Sequence, residues 1–279
     1  MQYDELIPDF PLNRFISKVW SLTCPSVHKQ EKILPLPAHH FIINLSDEPY
    51  RVVRRGDKQV SWTFADGFVS GMQSGYLVIE NPAILRHVGV ELKPYALTVF
   101  TDVDAQAIAD TVQESEPILY GSTALKAKVR KTTDTREHMR LLLDFMTEKL
   151  PPDYAAPTLV ETSLPLLDAM QPIADIAKRL GVSHKHLIHQ WKRHAGVTPK
   201  QYQNVVRLQQ VIGWFDETDK PIHWSSVSGE FSYCDQPYFI RTFRQQTGFA
   251  PKEYAHMLDK YPSGSQAFVA LDNEYQRLN

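Results

Sequence analysis

Short apolar or alternating runs rich in Val, Ile, Phe and Tyr recur through the first third of the chain. They are Phe15 to Leu22, His40 to Leu45, Tyr50 to Arg54, Val60 to Phe64, Phe68 to Met72, Tyr76 to Ile79 and Ile84 to Leu92. Pro, Gly, Asn and Asp punctuate them. Several short strands at such spacing predict a small β-sandwich or barrel over roughly residues 10 to 95. After Pro94 the period lengthens, and Leu97, Phe100, Ile108 and Val112 predict short helices that close the sheet. Asp134 to Leu150 reads as an amphipathic helix whose Met139, Leu143, Met146 and Leu150 form a narrow stripe. Such a stripe suits pairing with a second helix in a homodimer, or packing on its own domain. Pro151-Pro152-Asp153 and Ala156-Pro157 mark a linker.

The last third has helical period throughout and contains a repeat. Gly196-Val197-Thr198-Pro199-Lys200-Gln201-Tyr202 returns as Gly248-Phe249-Ala250-Pro251-Lys252-Glu253-Tyr254. Upstream, Leu187 and Trp191 stand opposite Phe239 and Phe243, while Ile173, Ile176, Ala177 and Leu180 answer Trp224, Val227, Ser228 and Phe231. A repeat of this length indicates two copies of one supersecondary unit. In each copy an apolar stripe ends at a turn, and a residue suited to N-capping, Ser183 or Asp235, opens a second helix. Gly181 supplies the left-handed conformation of the first turn. Pro237 falls in the first turn of its helix, where its missing N–H costs nothing. The pattern is a helix-turn-helix. Between the units, Tyr202, Val205, Val206, Leu208, Ile212 and Phe215 describe a long helix over Pro199 to Phe215, broken by Asp216 to Pro221.

Residues 171 to 258 resemble the DNA-binding domain of the AraC/XylS transcription regulators. The matching pieces are Ile-Ala-x-x-Leu-Gly-Val-Ser-x-x-x-Leu at 176 to 187, the Gly-x-x-Pro-x-x-Tyr closing each unit, and Asp-Gln-x-x-Phe-x-Arg-x-Phe at 235 to 243. The chain departs from that pattern at Ser232, where the family usually has Gly, and at Trp191, where it usually has Phe. Ser232 strains its turn if its φ is positive. The resemblance implies that exposed residues beginning each recognition helix read bases. By position these are Lys185, Ile188 and His189 in the first helix, and Gln236, Tyr238 and Arg241 in the second. Lys192, Pro237 and Arg244 complete the implied DNA-binding surface. Val88-Gly89-Val90-Glu91-Leu92-Lys93-Pro94 is similar to the strand-to-helix corner of one subgroup of these regulators, in a sensor domain with strands first and helices after.

Charge agrees with a phosphate-facing C-terminal domain. Residues 171 to 258 hold 11 basic and 7 acidic side chains, and the rest of the 279-residue chain holds 19 basic and 25 acidic. Basic charge concentrated in one part of a near-neutral protein suits nucleic acid. Six of the 11 histidines lie there too, so DNA affinity is expected to rise as pH falls through their titration range. No run approaches the roughly 18 apolar residues of a membrane span, and residues 1 to 10 lack the form of an export signal. Two cysteines, Cys24 and Cys234, suit a reducing cytoplasm and exclude the cysteine cluster of alkylation-repair relatives. Cys234 reads as a small buried residue of the second turn in preference to a redox sensor there.

His39 and His40, with His28 and His87, invite a metal reading, but neighbours in a strand point to opposite faces and cannot share one interior. No metal or other cofactor is expected. Trp20, Trp62, Tyr50 and Phe64 either line a pocket for an organic effector or fill a core. The expected architecture is α+β: a β-rich sensor domain over 1–133, a connector over 134–157, an all-α DNA-binding domain over 158–260, and a tail over 261–279 without readable pattern. The expected function is cytoplasmic, sequence-specific transcription regulation on a double-stranded DNA operator, with RNA polymerase as a further partner of an activator. No catalytic constellation of nucleophile, base and orienting group can be assembled. The alternative is a ligand-binding or catalytic barrel that its C-terminal domain recruits to DNA.

Overall fold

The computed structural model describes residues 2–26, 28–153, 155–217, 224–231, 233–260 and 268–270. The first strands are β1 (Gln2–Leu6), β2 (Ile16–Pro25), β3 (Gln30–Ile33), β4 (His39–Asn44) and β5 (Tyr50–Arg55). They continue with β6 (Lys58–Phe64), β7 (Gly67–Ser70), β8 (Leu77–Glu80) and β9 (Ile84–Leu92). Two short helices follow, α1 (Leu97–Phe100) and α2 (Ala105–Ile108), then β10 (Val112–Glu114), α3 (Ser122–Val129) and α4 (Thr135–Glu148). The rest is helical: α5 (Thr158–Asp168), α6 (Ile173–Arg179), α7 (His184–Ala195), α8 (Pro199–Glu217), α9 (Trp224–Glu230), α10 (Gln236–Thr247) and α11 (Pro251–Lys260). A last strand, β11 (Phe268–Ala270), comes from the segment expected to be patternless.

The strands form two antiparallel sheets, one ordered β1-β2-β9-β4-β7-β10 and the other β11-β3-β8-β5-β6. Alternation along the first sheet divides its side chains between two cores. Val19, Phe41, Ile43, Val88 and Val90 face the helices, whereas Phe68 joins Tyr50, Val52, Phe64, Leu77 and Ile79 between the sheets. Tyr50 and Phe64 are thus core residues: Tyr50 stacks on Phe68 at 4.4 Å between ring centroids. Trp62 packs against the same cluster, and Trp20 lies over Gly89, where an added Cβ would come within 2.5 Å of the indole.

Val112, expected in a helix, begins the edge strand β10, paired with β7. Strands β1, β3 and β10 carry little apolar signal because each lies at or next to a sheet edge, where one side of the ladder is short of neighbours to bury side chains against. The stripe on α4 is turned inward. Met139 and Met146 are buried with Leu142 and Phe145 in the helix-facing core, and Leu143 and Leu150 are half-buried against it. Burial of the two methionines takes them out of any surface offered to a second chain, because α4 packs on β2 and β9.

Helix α3 starts after Gly121, which has no side chain to cap it, and Glu116 supplies the missing acceptor. Its carboxylate accepts from the backbone N–H of Thr123 at 2.7 Å and of Gly121 at 2.8 Å. These bonds hold its pKa down to about 2, from the ordinary 4.5. A depressed carboxylate stabilises the fold above its unfolded pKa and loses that contribution as pH falls through the folded value. Glu116→Gln is expected to cost about 1 kcal/mol at neutral pH, the usual worth of an N-cap. The difference from wild type should close between pH 4.5 and about 2 in urea titrations; a gap independent of pH would exclude the carboxylate as its source.

Candidate nucleic-acid interface

Both expected helix-turn-helix units are present and are built by the same local devices. In the first, α6 ends at a turn with Gly181 at φ 68°, and the His186 N–H donates to Ser183 Oγ at 3.1 Å to start α7. In the second, the Tyr238 N–H donates to Asp235 Oδ1 at 2.7 Å to start α10. Both recognition helices end on a left-handed glycine, Gly196 at φ 78° and Gly248 at φ 74°. Ser232 lies outside the described residues. Cys234, expected to be buried, is exposed, with Sγ 3.6 Å from Asp235 Oδ2.

Each recognition helix has one buried stripe. Leu187, Trp191 and Ala195 hold α7 to its unit, and the Trp191 indole N–H donates to Ser163 Oγ at 2.8 Å. Phe239 and Phe243 do the same for α10, inside an aromatic cluster with Phe215 and Tyr254. The two units are joined by α8, whose 19 residues span roughly 28 Å at 1.5 Å per residue. It runs through Glu217, so Asp216 and Glu217, expected to break it, belong to the helix, and the rest of the expected break, 218–221, lies outside the described residues.

On α7, Lys185, His189 and Lys192 are exposed and Ile188 is half-buried. On α10, Pro237, Arg241 and Arg244 are exposed, while Gln236 and Tyr238 are half-buried. The Arg241 guanidinium lies 5.5 Å from the centre of the Tyr238 ring. The surroundings of the two helices differ. Pro237, Arg241 and Arg244 line a cleft of about 1440 Å³ whose opposite wall is the second sheet, with Lys32, Arg54 and Tyr76.

Among the described residues no group of three or more His, Cys, Asp or Glu side chains converges as metal ligands. His39 is buried with Nε2 3.1 Å from the Pro94 carbonyl, and His40 approaches Glu91 at 3.8 Å. His87 sits between the sheets, where burial lowers its pKa to about 3.

Residues 176–257 match a family described as a helix-turn-helix domain. The C-terminal region is an AraC-type helix-turn-helix domain. Residues 4–114 match a second family, described as a domain of unknown function, DUF6597. The AraC-type region is similar to the HTH-type transcriptional activator RhaS of Escherichia fergusonii, 30% identical over 78 residues, which is 28% of this chain and 27% of that one. It is also similar to the lactose operon transcription activator of Staphylococcus xylosus, 26% identical over 84 residues, 30% of this chain and 29% of the relative. The chain thus spans less than a third of either curated relative. Among solved structures, ToxT from Vibrio cholerae aligns over 85% of this chain and 98% of its own, at 10% identity and a TM-score of 0.44. Among the described residues no helix is long and apolar enough to cross a membrane.

The surroundings of the AraC-type domain were not legible in its motifs. Both carboxylate oxygens of Glu161 in α5 accept from Arg14 Nη2, at 3.0 and 3.1 Å, and one accepts from the Tyr95 hydroxyl at 3.2 Å. Thr98 Oγ1 meets His194 Nδ1 at 2.9 Å, and Gln209 Nε2 donates to the Pro35 carbonyl at 2.6 Å. These bonds join residues up to 174 positions apart, which no local pattern encodes.

Proposed function

We propose that this protein is a sequence-specific transcription regulator that binds double-stranded operator DNA through both helix-turn-helix units. The observation that carries the reading is the pair of capped recognition helices at the two ends of α8, each presenting basic side chains. A 19-residue connecting helix and the widths of its neighbours separate the reading helices by about one turn of B-DNA, roughly 34 Å. Successive major grooves on one face of the duplex are therefore within reach. The N-terminal β-sandwich, packed against both units, is the part through which an effector or a second copy of the chain would act. RNA polymerase is the further partner if control is positive, the sign carried in the names of the two curated relatives.

The test is selection from a random-sequence duplex pool followed by hydroxyl-radical and methylation footprinting of the winning sequences. Protection of two major grooves one helical turn apart is the expected result in the fully engaged complex. Contacts confined to one groove, under conditions that saturate binding, would exclude the bipartite reading. A pool from which nothing is enriched would exclude DNA binding.

A further inference from the structure

The second unit is gripped by one strand of the N-terminal domain on both sides of α11. Before α11, Lys32 of β3 is 6% exposed, with its ammonium 3.6 Å from the centre of the Phe249 ring, 4.4 Å from that of Tyr76 and 3.5 Å from the Gly248 carbonyl. Contact there is so close that a Cβ on Gly248 would sit 2.5 Å from the Lys32 nitrogen. Beyond α11, β11 pairs antiparallel with the same strand, Phe268 opposite Ile33, Val269 opposite Lys32 and Ala270 opposite Glu31. Tyr76, Val78 and Leu34 of the N-terminal domain belong to the core of the second unit.

This grip decides what α10 can reach. Its face carrying Arg241 and Arg244 looks into the 1440 Å³ cleft, with the second sheet as the far wall. A helix seated in a major groove about 12 Å wide and 8.5 Å deep has a sugar-phosphate wall on either side. The sheet shares the cleft with Arg241 and Arg244, so it and a groove wall compete for the same face of the helix. Lys185, His189 and Lys192 of the first unit do not line that cleft, whereas Pro237, Arg241 and Arg244 do.

We propose that β11 is a cis-acting strap: by completing the edge of β3 it holds the second helix-turn-helix unit against the N-terminal sheet, and that unit can read DNA only after the strap leaves. This builds on the DNA-binding reading above. Strand addition to a sheet edge is bonded through the main chain and is reversible, which suits a switch. Docking brings Lys32 and Arg54 onto the same cleft as Arg241 and Arg244, where Asp57 and Glu80 offset only part of the positive charge, and the surplus favours opening. Burial beside Arg54 lowers the Lys32 pKa to about 8, a sign that its charge is held at a cost.

The experiment locks and releases the strap in the full chain. With Cys24→Ser and Cys234→Ser as background, Glu31→Cys and Ala270→Cys place a cysteine pair at directly opposed strand positions, within disulfide reach. The probe is the tightest duplex that wild-type protein selects from a random pool. The oxidised protein is expected to protect one major groove only and to bind about tenfold more weakly than the same protein reduced, as follows if the competent fraction falls by that factor. Val269→Pro, which removes a ladder donor, should have the opposite effect and should also speed amide exchange in β3 and α10 together. Failure of the pair to oxidise overturns the strand pairing. Equal affinity of oxidised and reduced forms, or faster exchange in β3 without α10, overturns the strap. If no duplex is selected by any variant, the DNA reading fails, and the oxidation yield and exchange data still decide whether β11 holds the second unit.

Discussion

Trp191→Ala is expected to lower the stability of the whole protein by about 3–5 kcal/mol, the range for removing a fully buried large aromatic side chain. Trp191 is 0% exposed, its ring centroid lies 4.9 Å from that of Tyr202, and its N–H donates to Ser163 Oγ. Tyr202 is fixed in turn by its hydroxyl bond to Asp168 at 2.6 Å. Deletion of the indole empties the junction of α5, α7 and α8. The cluster that includes Trp191 continues without a gap into Phe41, Val90 and Leu97 of the N-terminal domain. A single cooperative transition that moves to lower urea in both far-ultraviolet dichroism and protease resistance of residues 1–130 is therefore expected. Trp191→Phe, the residue usual in the AraC/XylS family, should cost less than about 1.5 kcal/mol because it keeps most of the volume. An Ala variant within 1 kcal/mol of wild type would mean that this junction does not hold the unit together.

The parts legible in the sequence are those set by a single helix or a single turn. Ser183, Asp235, Gly181, Gly196 and Gly248 act where their chemistry puts them, since capping and left-handed φ are local demands. The central strands were legible because both faces are buried and apolar residues recur at short intervals, as in Val88, Val90 and Leu92. Strands one place in from an edge, such as Gln30–Ile33, with Gln, Glu and Lys ahead of one Ile, look like loops until their partners are known. The α4 stripe shows the same limit: its period was readable, but whether Met139 and Met146 would meet a second chain or their own sheet depends on where β2 and β9 lie. Pro151 to Pro157 looked like a spacer between independent domains, yet one core crosses it, with Val160 and Leu167 packed in the same cluster as Phe145 and Met146. Composition marks a change of architecture there and says nothing about a gap in packing. Lys32 is the residue on which this matters most, because a lone lysine in a polar strand gives no hint that it will lie between Phe249 and Tyr76.

Arg241→Ala is expected to relax base preference at one position of the selected site by about 1–3 kcal/mol, the worth of a bidentate contact to guanine O6 and N7. Arg241 stands one turn into α10, exposed, with its guanidinium set beside the Tyr238 ring. That neighbour restricts the side chain to one side of the helix, so less ordering is required when it meets a base edge. The docked arrangement complicates absolute affinity, because removing Arg241 also takes a positive charge from the cleft that holds Lys32 and Arg54. Stronger docking would weaken binding to every sequence alike, since the apparent constant is divided by one competent fraction whatever the DNA. The ratio between the best base and the other three at a given position is free of that factor. It is the ratio, measured by competition at fixed salt for Arg241→Ala and again with Val269→Pro added, that reports the contact. A change at one position that persists when the strap is weakened identifies base readout. Equal loss at all positions, with the salt slope reduced by about one, would make Arg241 a phosphate contact.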